Sequence, residues 1–300
     1  MKISRRARAM RKTVAKFVQD EQSPLDERRA AMERVDKLPR PRRVDYEETT
    51  VGGVPAIVAT PTAHEPERRI LYLHGGGYIM GSPKSHIAMA ARLGKRAGAA
   101  VTVIDYRLAP EHPYPAAIDD CVAAYRDLAG RIDPSLITIA GDSAGGGATL
   151  ATLCALRDAG DILPGCAYVL SPWTDLTASG DSIRSKADVD PMIDPALINS
   201  AAAMYGGQVP LDDAGVSPLF ADLSGLPPLL IQTGIDEVLL SDSTRLAERA
   251  RAAGVHVELD LADGMWHVYQ AFAGYMPEAN EALIHAARFI RSHSSTPVTA

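Results

Sequence analysis

The chain has 300 residues, 46% hydrophobic and 23% charged, with 31 basic against 37 acidic side chains and a net charge of −6. Such a composition buries a large core and excludes a disordered chain, a collagen, a coiled coil or a disulfide scaffold, and its mild acidity offers no field to attract nucleic-acid phosphates. The three cysteines, Cys121, Cys154 and Cys166, lack zinc or dithiol spacing and fit a reducing cytosol.

Nothing after Met1-Lys2-Ile3-Ser4-Arg5-Arg6 reads as a signal peptide, and no apolar run reaches the roughly 18 residues that span a bilayer. A cytoplasmic protein with no integral membrane segment is therefore expected. Ile3, Ala7, Met10, Val14 and Phe17 recur at helical spacing in a basic stretch that ends in Asp20-Glu21-Gln22, which predicts an amphipathic helix packed on its own protein. A second helical run, Leu25 to Val35, stops before the breaker Pro39-Arg40-Pro41. Together residues 1–43 are read as cap helices ahead of a domain over 44–300.

Val44 to Val51 and Val54 to Thr60 are strand-like and flank Gly52-Gly53, the signature of an antiparallel hairpin. Short apolar runs then alternate with Ala-rich helical stretches such as His86 to Gly98 and Ala116 to Leu128. The runs are Ile70 to Leu73, Ala100 to Ile104, Leu136 to Ala140, Tyr168 to Leu170, Leu229 to Thr233 and Val255 to Leu259. This rhythm predicts an α/β fold, a mostly parallel central sheet flanked by helices with an antiparallel beginning. Between Trp173 and Pro218 it breaks. That interval holds a helical segment, Pro195 to Tyr205, and is read as an insertion near 180–215 folded over the C-terminal edge of the sheet. The tail after Ser292 reads as frayed.

The strongest chemical signal is Gly141-Asp142-Ser143-Ala144-Gly145, a G-x-S-x-G elbow between a strand and a Gly/Ala-rich helix start. It presents the Ser143 hydroxyl at a helix N-terminus, where the Ala144 N–H favours developing negative charge. A serine hydroxyl needs a base, and the base an orienting carboxylate, in the order Ser, acid, His. His267, in the loop after the last predicted strand, is chosen as base over the seven other histidines. Asp236, just past the strand Leu229 to Thr233, is chosen as acid, with Glu237 and Asp242 as competitors and Asp263 as a weaker one. His74-Gly75-Gly76-Gly77-Tyr78 follows a strand, and its glycines let backbone N–H groups approach a carbonyl oxygen. A dinucleotide loop is disfavoured because G-x-G-x-x-G followed by a distant acid is absent. Arg107 and Glu111 are expected to tie down a proline-rich loop. Tyr78, Met80, Trp173, Met192, Met204, Tyr205 and Trp266 are candidates to line a substrate pocket.

These motifs, with Asp105-Tyr106-Arg107-Leu108-Ala109-Pro110-Glu111 and Pro113-Tyr114-Pro115-Ala116 between them, make the chain resemble the hormone-sensitive-lipase-like branch of the α/β-hydrolase carboxylesterases over nearly its whole length. The resemblance implies an α/β-hydrolase fold with a helical cap and a triad of Ser143, Asp236 and His267. It implies oxyanion donors at Gly76, Gly77 and Ala144, with Gly75 not excluded by spacing. It also implies no metal or cofactor, and hydrolysis of short to medium acyl esters. A homodimer through an edge strand is a further expectation from the resemblance. Two departures stand out: Asp236 is followed by Glu237-Val238-Leu239 instead of the family's Pro-Leu, and His267 by Val268-Tyr269 instead of Gly-Phe.

The expected mechanism is acyl transfer through Ser143, with activity falling below a pH of about 6 to 7 as the base protonates. Its rivals are a lactone hydrolase on the same residues, a non-catalytic small-molecule receptor, and a membrane-surface lipase using the basic N-terminal helix.

Overall fold

The computed structural model describes residues 3–15, 23–34 and 39–294. A central sheet of eight strands runs in the order β1-β2-β4-β3-β5-β6-β7-β8. The hairpin is β1 (Val44–Val51) and β2 (Val54–Pro61), and β2 pairs antiparallel with β4 (Ala100–Ile104). The strands β3 (Arg69–Leu73), β4, β5 (Ile137–Asp142), β6 (Cys166–Leu170), β7 (Leu229–Gly234) and β8 (Val257–Ala262) are mutually parallel. This is an α/β-hydrolase fold, and the parallel strands sit where short branched runs predicted them.

Both faces are covered because successive strand residues point to opposite sides. Leu71, Ile139, Val169 and Ile231 share one apolar cluster with α4 (Ala116–Ala129), α5 (Ala144–Ala159) and α8 (Leu240–Ala252). Ile70, Tyr72, Tyr168 and Leu230 share the other with α3 (Pro83–Ala97) and α9 (Pro277–His293).

Boundaries differ in one informative place. The last strand was expected over Val255 to Leu259, but Val255 donates its N–H to Ala250 O at 3.0 Å, closing α8, so β8 starts two residues later. It then continues to Ala262 because pairing with Gly234 of β7, not apolarity, carries it. His256 consequently precedes the strand instead of lying within it.

Helix α1 (Arg5–Val14) is capped by Ser4, whose Oγ accepts the Ala7 N–H at 3.0 Å, and it buries Ala7 and Val14. Phe17, Asp20-Glu21-Gln22 and Val35 of the predicted N-terminal runs lie outside the described residues. Helix α2 (Leu25–Glu33) occupies the second run. Between residues 173 and 218 the described chain forms α6 (Ser182–Ser185) and α7 (Pro195–Gly206) and no strand, as the broken rhythm predicted. At the C-terminus α9 runs through His293, and residues 295–300 lie outside the described residues. Among the described residues no helix is long and apolar enough to cross a membrane.

Candidate active site

Ser143 connects β5 to α5 with φ +53° and ψ −122°, the strained turn that an elbow requires. Its N–H donates to Leu170 O at 2.8 Å, and its carbonyl accepts the N–H groups of Gly146, Gly147 and Trp173. The turn closes only with glycine at position 145, where a Cβ would stand 2.0 Å from Leu73 O. Local sequence thus dictates the sharp backbone turn at Ser143.

The glycine loop after β3 faces the same elbow. Gly75 donates its N–H to Asp142 Oδ1 at 3.2 Å, which commits that group to structure. Beneath it His74 is fully buried, stacked on Tyr106 at 4.1 Å between ring centroids, with Nδ1 2.8 Å from Gly75 O. Burial pushes its pKa down to about 3, so the ring is neutral and Nδ1 donates to that carbonyl. Asp142 also accepts from Tyr72 Oη at 2.7 Å and pairs with His86 Nε2 at 3.4 Å. Burial pushes the Asp142 pKa up, but the charge and hydrogen bond of His86 outweigh it and hold the carboxyl below its ordinary value.

The acid side departs from the sequence-based choice. The carboxylate of Asp236 turns outward, 3.0 Å from Arg11 Nη1 and 4.0 Å from Lys186 Nζ. The Asp236 N–H, donated to Met265 O at 2.9 Å, pins the loop in that sense. The next side chain, Glu237, points inward and is fully buried, with Oε1 3.4 Å from His267 Nδ1. Its Oε2 accepts the Gly234 N–H at 2.7 Å and the Ser171 hydroxyl at 2.8 Å. The structure therefore brings Glu237, not Asp236, to His267. One sequence signal could have found it: Glu237 is the carboxylate followed by Val238-Leu239, which restores the leucine of the family pattern two positions after the acid.

His267 itself is buried. Desolvation would lower its pKa, but the hydrogen bond and charge of Glu237, followed by Asp190 and Asp142, raise it above the ordinary histidine value. Asp190 comes from the 173–218 interval, and its Oδ2 accepts the Val238 N–H at 3.0 Å. Ser171, after β6, reaches both Glu237 and the Val268 N–H, the latter at 3.0 Å; no motif flagged it. Asp242, the third acid considered, is fully buried on α8 and accepts the N–H groups of Thr174 and Asp175, both at 2.8 Å.

The predicted pocket residues divide. Tyr78 stacks on Tyr205 of α7 at 3.7 Å between ring centroids and tilts against Trp173 at 6.1 Å, all on the α5 face of the sheet. Met80 and Met204 are half-buried at the margin of that cluster. Trp266, fully buried beside Phe272, and Met192 belong to the opposite cluster, so Trp266 fills core. Arg107 and Glu111 tie the proline-rich loop to separate partners. Arg107 binds Asp120 at 2.8 Å, and Glu111 binds Arg29 of α2 at 2.7 Å.

Comparison with known proteins agrees with this fold. A family model described as the α/β hydrolase fold matches residues 70–271. An acetyl-hydrolase of Streptomyces hygroscopicus is 42% identical over 244 residues, 81% of this chain and 81% of that protein. An esterase of Acinetobacter venetianus is 39% identical over 225 residues, 74% of each chain. The crystal structure of an esterase from the bacterial hormone-sensitive lipase family superposes with a TM-score of 0.95 at 40% identity, covering 98% of this chain and 100% of that one. The chain belongs to the hormone-sensitive-lipase-like family of α/β-hydrolase carboxylesterases.

Proposed function

We propose that this carboxylic ester hydrolase works through Ser143 as nucleophile, His267 as general base and Glu237 as the carboxylate that orients and charge-balances the imidazole. The observation that carries the reading is the buried Glu237–His267 pair, with Oε1 on Nδ1 at 3.4 Å. With Nδ1 directed at the acid, Nε2 is the nitrogen left to take the Ser143 proton. The hydroxyl adds to the ester carbonyl, and His267 passes the proton to the departing alkoxide, leaving an acyl-serine. A water, deprotonated by the same imidazole, then releases the carboxylic acid and restores Ser143. Each tetrahedral oxyanion is held by the N–H groups of Gly76, Gly77 and Ala144, donors of a kind worth about 3 kcal/mol apiece in other enzymes.

Short to medium acyl groups suit the site. Ala201 of α7 would lie 3.3 Å from a Cβ at Gly77, so this helix packs close against the glycine loop, beside the stacked Tyr78 and Tyr205. The relative named an acetyl-hydrolase supports the short end of this range. In this reading α1, α2 and the 173–218 interval act together as the cap. Arg11 on α1 reaches Asp236, Gly264 O and Val189 O, while Arg29 on α2 reaches Ile79 O and Ala109 O.

Hydrolysis of p-nitrophenyl esters from acetate to dodecanoate tests the assignment. The expected profile peaks at short chains in the wild type and vanishes in Ser143→Ala. Turnover of the acetate or butyrate at wild-type rate by Ser143→Ala would overturn the mechanism.

A further inference from the structure

Behind the acid lies a buried hydroxyl that the reaction does not consume. Ser171 is fully buried and has φ +44°, a region a serine occupies when its surroundings hold it there. Its N–H donates to Gln232 O at 2.7 Å, and the carbonyl just before it, Leu170, takes the Ser143 N–H at 2.8 Å. The residue is thus fastened between the nucleophile elbow and β7.

From that position Oγ bridges the two other loops of the site. The hydroxyl donates to Glu237 Oε2 at 2.8 Å and accepts the Val268 N–H at 3.0 Å. A hydroxyl has one proton and two lone pairs, so giving the proton to the carboxylate leaves a lone pair aimed at the amide. Val268, the neighbour of His267, has φ +48°, which a β-branched side chain resists. The contact from Ser171 is a hydrogen bond that holds it there. The Glu237–His267 distance of 3.4 Å is already at the long end, so a small drift of either loop would break the pair.

We propose that Ser171 is a positioning residue for ester hydrolysis, its single hydroxyl tying Glu237 to the backbone beside His267 so that carboxylate and imidazole stay in register. The proposal rests on Glu237 being the acid. Alanine at this position would strip one donor from the carboxylate and leave the Val268 N–H without an acceptor.

The test compares kcat and KM for p-nitrophenyl butyrate in the wild type, Ser171→Ala, Ser171→Gly, Glu237→Gln and the Ser171→Ala/Glu237→Gln double variant, with Tm for each. Glycine adopts the required φ without strain, so it separates loss of the hydroxyl from a folding defect. Expected is a kcat loss of about 10- to 100-fold in both single Ser171 variants with KM within about twofold. In the Glu237→Gln background Ser171→Ala should change kcat by less than about threefold, because its target is already gone. Ser171 variants at wild-type kcat beside a crippled Glu237→Gln would refute the link while leaving the triad. An equal loss in both backgrounds would mean general packing and also refute it. A fully active Glu237→Gln would remove the acid reading, and the proposal with it.

Discussion

The acid assignment is open to a direct trial, since Asp236 and Glu237 are neighbours that the structure sends in opposite directions. When His267 carries the proton from Ser143, the imidazolium faces Glu237 at 3.4 Å. At an effective dielectric of about 20 that separation corresponds to roughly 5 kcal/mol of attraction. Little of it exists before the proton moves, so Glu237→Gln should raise the barrier by most of that amount, a kcat loss of about 10³- to 10⁴-fold. Asp236 instead holds Arg11 at 3.0 Å with both side chains partly exposed, a pair worth about 0.2–1 kcal/mol in holding α1 to the Asp236 loop. Asp236→Asn should therefore lower Tm slightly and leave kcat within about threefold. Initial rates on p-nitrophenyl butyrate at pH 8, with circular dichroism to verify folding, measure both. A collapse of kcat in Asp236→Asn together with a healthy Glu237→Gln would refute the reasoning and return the role to Asp236.

Two further outcomes follow from the same geometry. Because Glu237 holds the His267 pKa above its ordinary value of about 6.5 despite burial, the acid limb of kcat/KM should lie above that pH. In Glu237→Gln the limb should move to lower pH as the anion that retains the proton is lost; a limb that stays put would contradict the coupling. Gly234→Ala would place a Cβ 2.3 Å from Met265 O, forcing the acid and histidine loops apart, at a cost of about 1–3 kcal/mol in stability. Its kcat should fall more than its KM rises, read from the same rate and melting measurements; unchanged kcat would show that the loops tolerate the spread.

Much of the molecule is legible in the sequence. The strands at Ile70, Ala100 and Leu229, the hairpin around Gly52-Gly53, the elbow at Ser143 and the place of His267 in the loop after the last strand all follow from patterns confined to a few neighbouring residues. Alternation, turn glycines and position after a strand are local facts, and local facts are written in order along the chain. The β8 boundary was harder, because it depends on how α8 closes on Val255 and how far β7 offers partners.

What the amino-acid order determined by itself is the fold class, the elbow at Ser143 and the loop that carries His267, since each follows from local patterns of apolar runs and turn residues. What only tertiary structure decided is which of two adjacent carboxylates meets His267 and where Ser171 sits between the loops. Asp236 faces outward because Arg11, 225 positions away, meets it there, and Glu237 faces inward because Ser171 and Gly234 N–H satisfy its second oxygen in a place water does not reach. Side-chain direction in a loop is fixed by the partners it finds, and those partners become neighbours only when the sheet brings distant segments to one edge.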